Sequence, residues 1–336
     1  MFRSLQVKFA DRKHESHDEK DLSQMKRTPY LLTGVLSGLR GRPTRWARSN
    51  AVLCEQFFGN PQSSNRRMIM RRIPCFLTAL ALVLMLGATA SADSFFFTTG
   101  DPDGQMAAAS RPESRHKIEI EAADDFILTS PTVIDRATFT GLLFHGGHGE
   151  IRDVVVEIYR VFPKDSDPSR CLTPLPVCNT LNVPTRNNSP SDNAFKDRSS
   201  ADGTLQFTAT VIKHHHHFEA ANSVIDGIHP SPNQTTGGEG PVAGQEVLFE
   251  VVFDPPLDLP ADHYFFVPQV ELQGRGGNFL WLSEPGPPLF TGDLQMWIRN
   301  ADLDPDWLRV GSDIVGPTPA SGPKFNGSFS LSSTIP

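Results

Sequence analysis

The sequence predicts an all-β protein, either a plain antiparallel β-sandwich or a jelly roll, preceded by a signal segment and a basic extension. Three observations support this prediction. Short runs of β-branched and aromatic residues alternate with clusters of Pro, Gly, Asn and Asp from residue 93 onward. Amphipathic helical patterns are almost absent there. An apolar stretch over residues 70–92 separates this β-type part from a sequence of different composition.

Residues 70–92 have the order of a secretory signal peptide. Two arginines precede a run of mainly apolar residues over 76–86, and small residues follow up to Ala92. We expect signal peptidase to cut between Ala92 and Asp93. One alternative stays open, because the uncharged span 73–92 is long enough to serve as an uncleaved single-pass membrane anchor.

The charge of the chain changes sign at the same place. Residues 1–92 carry 15 Lys and Arg and 6 Asp and Glu, a balance of +9, and residues 93–336 carry the other 16 and 32, a balance of −16. We expect residues 1–69 to be disordered or untranslated, and residues 93–336 to form a single domain. The negative charge disfavours nucleic-acid binding, suits an exported protein and leaves carboxylates available for calcium.

The predicted strands follow one another along the acidic part of the chain. They are 95–98, 117–121, 126–128, 133–144 (one strand, or two joined at Gly141), 153–162, 204–213, 247–253, 264–272, 279–283 and 325–331. Short helical pieces are expected at 220–228, 293–300 and 301–308.

The run 153–162 gives the clearest strand pattern. Its residues are β-branched or aromatic and alternate between two faces. The two sets are Val154, Val156 and Ile158 on one face and Val155, Glu157 and Tyr159 on the other.

A long polar loop over residues 163–202 follows that strand. It is rich in Pro, Ser and Asn, and a loop of this length inside a compact domain is often functional or disordered. Cys171 and Cys178 lie within it. In an oxidising compartment an even pair at this spacing predicts a local disulfide.

Three segments carry a resemblance to a known group of proteins. They read AADDFILTSPTVIDRATFTGLLF, DVVVEIYRVFP and PADHYFFVPQV. Together they resemble the β-sandwich modules of exported bacterial proteins, many of which are PEP-CTERM-type exoproteins. The resemblance implies export and a β-sandwich fold, and no catalysis. The sequence ends SFSLSSTIP, without a Pro-Glu-Pro box, closing apolar helix or basic tail, so we do not expect surface anchoring by that route.

Two histidine groups are candidate metal ligands. His145, His148 and Glu150 lie at an expected hairpin tip and combine two imidazoles with a carboxylate. Their glycine-rich surroundings indicate a turn rather than the helix on which zinc hydrolases place such a pair. The run His214–His217 could also bind zinc, copper or nickel, although alternate side chains of an extended chain face opposite ways.

Calcium is the cofactor that the acidic residues allow, and otherwise no cofactor is expected. Asp302, Asp304 and Asp306 occupy positions 1, 3 and 5 of an incomplete calcium loop. Trp307 stands at the sixth position, where the turn of such a loop requires Gly, so the alternative is a solvated acidic turn.

Two further groups suggest carbohydrate chemistry. Trp281, Trp297 and Trp307 lie close together in the sequence, and exposed indoles stack on sugars, although burial in the core is the commoner fate of Trp. The carboxylates Glu119, Glu121, Asp124 and Asp125 are among the candidates for glycoside hydrolysis, which requires two such groups at a set distance across a cleft.

The leading hypothesis is an exported, non-enzymatic structural or binding β-sandwich, periplasmic, secreted or on the cell surface. The alternatives are a carbohydrate-binding module and a secreted hydrolase or metal-dependent enzyme. The expected partner is a glycan or another envelope component. We expect no nucleic acid as partner, and no stable membrane anchor if the signal is cleaved.

Overall fold

Two β-sheets pack face to face and enclose the apolar core. The computed structural model describes residues 94–144, 151–212, 217–229, 235–274, 276–285, 294–316 and 322–334. Ten strands form the larger sheet and six the smaller one. The predicted all-β class and β-sandwich architecture are therefore confirmed.

The strands of the described residues are short at the chain ends and long in the middle. In chain order they are β1 (Phe96–Thr98), β2 (Met106–Ala109), β3 (Ile120–Leu128), β4 (Thr132–Phe144), β5 (Ile151–Arg160), β6 (Lys196–Ser199), β7 (Leu205–Val211), β8 (Phe218–Ala220), β9 (Asn222–Val224), β10 (Val242–Leu259), β11 (Asp262–Leu272), β12 (Asn278–Glu284), β13 (Trp297–Asn300), β14 (Leu308–Arg309), β15 (Asn326–Gly327) and β16 (Phe329–Ser332). A 3-10 turn at Pro168–Arg170 and a π-helical turn at Val310–Val315 are the helical pieces of the described residues.

The larger sheet is built around β4. One edge of β4 pairs with β16 over residues 136–139 and with β12 over residues 141–144, while β10 runs antiparallel along the other edge. The strand is continuous through Gly141. A Cβ at Gly141 would lie 2.2 Å from the Phe279 ring, so the glycine lets a core aromatic cross the strand rather than breaking it.

The smaller sheet has the order β14-β13-β3-β11-β5-β6, and all its pairs are antiparallel. The alternation predicted for β5 is confirmed. Val154, Val156 and Ile158 are fully buried in the main core. Glu157 and Tyr159 belong to the opposite, outer face, where Tyr159 packs with a second apolar cluster around Trp297 and Trp307.

Aromatic rings join the two sheets in the main core. Phe139 of β4 stacks on Phe249 of β10 within the larger sheet, at 4.8 Å between centroids, and lies 6.3 Å from Phe266 of β11 in the smaller sheet. Phe266 of β11 stacks on Phe329 of β16 at 4.9 Å and meets Trp281 of β12 edge-on. Apolar burial on this scale is the main term that stabilises the sandwich.

The structure differs from the predicted elements mainly at short strands that pair with strands distant in the sequence. The prediction of helical pieces at 220–228, 293–300 and 301–308 was wrong, because backbone pairing with existing strands places β8, β9, β13 and β14 there. Strand β2, with the sequence MAAA, has little β propensity, but both its edges are paired, with β12 and β9.

The predicted long loop over 163–202 follows a defined path. It contains the 3-10 turn and ends in β6, and between them its backbone is irregular. Its middle part packs on the outer face of the smaller sheet, where the side chain of Arg186 is 1% exposed. We call residues 163–195 the excursion.

Candidate functional site

The sequence-predicted disulfide is present in the excursion. The Cα atoms of Cys171 and Cys178 lie 5.1 Å apart and their sulfurs are bonded. A structural disulfide indicates a non-reducing environment, as found outside the cytoplasm. The signal segment 70–92, its cleavage position at Ala92 and Asp93, and the alternative span 73–92 lie outside the described residues. Within the described residues, no helix has the length and apolar character needed to cross a membrane.

A buried ion cluster attaches the excursion to the sheet. The guanidinium of Arg186 donates to Asp306 Oδ1 at 3.0 Å and lies 2.9 Å from Asp192 Oδ1. Arg170 Nη2 lies 2.8 Å from the same Asp306 oxygen, and Thr180 Oγ1 donates to its other oxygen at 2.7 Å. Burial lowers the pKa of Arg186, and the charges of the two aspartates oppose that effect. We call this set the Asp306 clamp.

The three candidate calcium ligands lie in or near the Asp306 clamp, in different environments. Asp306 turns into the interior to meet two arginines, Asp304 lies 2.7 Å from Arg299 Nη1, and Asp302 is exposed. This arrangement gives no support to the predicted calcium site at Asp302, Asp304 and Asp306, because Asp304 and Asp306 pair with different arginines and Asp302 is exposed. Over the described ranges, no group of three or more His, Cys, Asp or Glu side chains is placed to hold a metal ion.

The three tryptophans are interior residues. Their side chains are at most 1% exposed, and each indole nitrogen donates to a backbone carbonyl at 2.8–3.1 Å. Stacking on a sugar requires an exposed indole face, so the prediction of stacking at these positions does not hold. The three residues are Trp281, Trp297 and Trp307.

Most of the candidate metal-binding histidines lie outside the described residues. His145, His148 and Glu150 lie outside the described residues, as do His214 to His216. His217 is described and is exposed at the start of the turn that leads into β8. Metal binding at these positions stays a prediction.

The candidate carboxylates form a second buried polar group on the outer face of the smaller sheet. Arg299 donates to both oxygens of Glu121, with Nη2 at 3.0 Å from Oε1. Tyr159 lies 2.7 Å from Glu121 Oε1 and 3.3 Å from Glu157 Oε2. The Arg299 guanidinium also lies 4.4 Å from the centre of the Trp307 ring.

The protonation of this group follows from its burial. Burial, with the neighbouring charge of Glu121, raises the pKa of Glu157 to about 9. Burial likewise raises the pKa values of Tyr159 and Glu119 above their ordinary values. Glu157 is therefore a neutral carboxylic acid at pH 7. Because Arg299 and Tyr159 already occupy the oxygens of Glu121, the arrangement mainly binds the outer face together.

An open cleft of about 480 Å³ lies at the end of the sandwich where β5 begins. Residues from three separate chain segments line it, with guanidinium, imidazole, hydroxyl, carboxylate and amide groups. The polar members are Ser114, Arg115, His116, Arg152, Glu271 and Gln273.

Local pairing holds the walls of this cleft in place. Backbone hydrogen bonds between Ser114 and Lys117 close a hairpin, and the Lys117 ammonium donates to the carbonyl of Gly277. Arg152 Nη1 lies 3.4 Å from Glu271 Oε1 across the β5–β11 pair. Gly274 turns the chain after β11 with a φ of +85°, a conformation that favours glycine.

The sequence did not identify this cleft, because its lining comes from segments about 40 and 120 residues apart. The available signal was a local excess of basic residues in a strongly acidic domain. Residues 111–117 contain Arg111, Arg115 and Lys117 against the single acidic residue Glu113.

A small exposed apolar surface lies elsewhere, on the disulfide loop. Four large apolar side chains there are 46–79% exposed, and nothing among the described residues covers them. They are Leu172, Leu175, Val177 and Leu181. Arg186 donates from its backbone N–H to the Cys178 carbonyl and lies over the Phe162 ring, so the disulfide is near the end of β5, whereas Arg152 of the cleft is at its start.

Comparison with protein-family models, curated proteins and solved structures finds no match to this chain.

Proposed function

We propose that this chain is an exported, non-enzymatic binding module that holds a carbohydrate in the cleft lined by Arg115, Arg152 and Gln273. The observation that carries the proposal is the cleft itself. Its volume, about 480 Å³, falls in the range of small-ligand sites, roughly 300–1,000 Å³. The proposed carbohydrate site is therefore this cleft and not the three buried tryptophans.

The chemistry of the lining supports a sugar. Saccharide hydroxyls both donate and accept hydrogen bonds, and the cleft offers both functions. Arg115, Arg152 and the Gln273 amide can donate, while Glu271 and the Gln273 carbonyl can accept. Binding of this kind needs no exposed indole.

Two observations support export. The signal-like order of residues 70–92 predicts secretion, and the Cys171–Cys178 disulfide requires an oxidising compartment to persist. The resemblance to exported bacterial β-sandwich modules leads to the same expectation. Mass spectrometry of the secreted protein is expected to find Asp93 at the N-terminus. Peptides from residues 1–67 in that protein would contradict the assigned export signal.

Calorimetric titration of the purified protein with soluble polysaccharides tests the binding role. We expect saturable binding that Gln273→Ala weakens at least tenfold, because an amide in the cleft wall is lost. The matched control Gln206→Ala changes an exposed amide on β7 and is expected to bind as the wild type does. Wild-type binding by the Gln273 variant, or no binding by any form, would refute the proposal.

A further inference from the structure

Beyond a carbohydrate in general, we propose that the cleft selects an acidic polysaccharide, one that carries carboxylate or sulfate groups. This inference rests on the proposed function and specifies its ligand class. The geometry that carries it is the placement of Arg115, His116 and Arg152 on the walls of one cleft.

The local charge is opposite in sign to that of the domain. Residues 93–336 carry a balance of −16. The charged side chains that line the cleft are Arg115, Arg152 and Glu271, a balance of +1 with His116 counted as neutral. A cleft with net positive charge on an acidic protein attracts anions locally.

The cations of the cleft are only partly neutralised. Within the described residues, Arg115 and His116 are exposed and take part in no ion pair, while Arg152 lies 3.4 Å from Glu271 and its side chain is 67% exposed. A guanidinium on an open wall can bind a carboxylate or sulfate through two parallel hydrogen bonds.

The base of the hairpin in the cleft wall adds positive potential. Arg111 is 7% exposed, it donates to Asn278 Oδ1 at 3.2 Å, and its Nε has no hydrogen-bond partner in the described part of the chain. Burial lowers the pKa of Lys117, and the charge of Arg111 lowers it further. Arg111 and Lys117 therefore add positive charge at the base of the hairpin, which Asp226 and Glu271 partly offset.

A saccharide fits this cleft better than other polyanions do. Glu271 and Gln273 supply acceptors beside the cations, and hydroxyl groups can donate to them. The phosphodiester backbone of DNA carries acceptors but no hydroxyl donors, so it would place its phosphates beside Glu271 with no group that donates to that carboxylate.

The test uses the full chain and four polymers of matched length: polygalacturonate, dextran sulfate, uncharged dextran and single-stranded DNA. We expect polygalacturonate, dextran sulfate or both to bind at 50 mM NaCl, at least tenfold more tightly than dextran or DNA. Raising the salt to 500 mM is expected to weaken that binding at least tenfold. A preference between the two acidic polymers would identify the anionic group.

Charge variants locate the binding. Arg115→Glu and Arg152→Gln are expected to weaken binding of the acidic polymer at least tenfold, and Arg136→Glu, an exposed change on β4 away from the cleft, to leave it unchanged. Thermal unfolding of each variant controls for its fold. Acidic-polymer binding that survives both cleft variants would overturn the inference, as would equal binding of DNA.

The remaining outcomes separate the two proposals. If dextran binds as tightly as the acidic polymers and Gln273→Ala weakens it, the cleft binds carbohydrate and the acidic selectivity is refuted. If none of the polymers binds, both the inference and the carbohydrate-binding function are refuted.

Discussion

At the scale of single residues, burial decides what the charged side chains do. Glu157 lies among Glu121, Tyr159 and Glu119 on the outer face of the smaller sheet, and its pKa is raised to about 9. In the unfolded chain its pKa is close to 4.5, the ordinary value for glutamate. Between these two values the folded protein holds a proton that the unfolded chain has lost.

This difference predicts how Glu157→Gln changes the response to pH. In the wild type, the contribution of Glu157 to stability is complete below pH 4.5 and is lost as pH rises toward 9. The amide mimics the neutral acid at every pH, so we expect the variant to be more stable by about 1–3 kcal/mol at pH 8–9, with little difference at pH 4. Urea unfolding at several pH values measures this.

The control for that experiment is Glu250→Gln, on an exposed position of β10. We expect its difference from the wild type to be the same at pH 4 and at pH 9. A Glu157 variant that is less stable than the wild type at pH 9 would contradict the raised pKa, because it would mean that folding favours the ionised Glu157 carboxylate.

Asp306 and Asp302 test the clamp, because both belonged to the predicted calcium triplet. Asp306→Ala leaves Arg186 buried with one of its carboxylates removed, so we expect a loss of about 3–5 kcal/mol in the free energy of unfolding. Asp302→Ala changes an exposed side chain and is expected to cost less than about 0.5 kcal/mol. Chemical denaturation compares the two, and equal losses would contradict the clamp.

At the scale of elements, the local pattern predicted strands whose pairing agrees with it. In β5 the alternation of residues 153–160 predicted which side chains share a face. One face packs in the main core, and the other packs against the second apolar cluster around Trp297 and Trp307. The inward turn of Asp306 was not predictable, since its partner Arg186 lies 120 residues earlier in the chain. The burial of Trp281, Trp297 and Trp307 was not predictable for the same reason, because segments distant in the sequence cover them.

The excursion is the element whose order depends most on tertiary contacts. Two restraints act on it, the Cys171–Cys178 disulfide and the Asp306 clamp. The disulfide closes a short loop on which Leu172, Leu175 and Val177 are exposed, and the clamp members Arg170 and Thr180 hold the two sides of that loop against Asp306. Their effects on the protein should therefore differ.

The double variant Cys171→Ser and Cys178→Ser is expected to loosen the exposed end alone. We expect faster chymotrypsin cleavage at Leu172 or Leu181 by at least fivefold, because both side chains are exposed and the loop no longer holds its shape. The midpoint of thermal unfolding of the sandwich is expected to fall only slightly. Loss of the whole fold, or an unchanged cleavage rate, would contradict this division.

At the scale of the whole molecule, the sandwich places two different surfaces at opposite ends of β5. One is the cleft with Arg115, Arg152 and Gln273, and the other is the apolar end of the disulfide loop. The sequence predicted the fold class, because strand patterns are local. It could not predict the cleft, whose walls meet only after two sheets have formed.

The most direct test of the central claim is to map where an acidic oligosaccharide binds. Two-dimensional amide NMR of the labelled protein, titrated with oligogalacturonate, reports each backbone position. We predict shift changes concentrated at residues 114–116, 152 and 271–274, with none at residues 172–181 of the disulfide loop. Changes confined to the disulfide loop, or spectra unchanged at saturating oligogalacturonate and also at saturating sulfated dextran oligosaccharide, would contradict a carbohydrate site in this cleft.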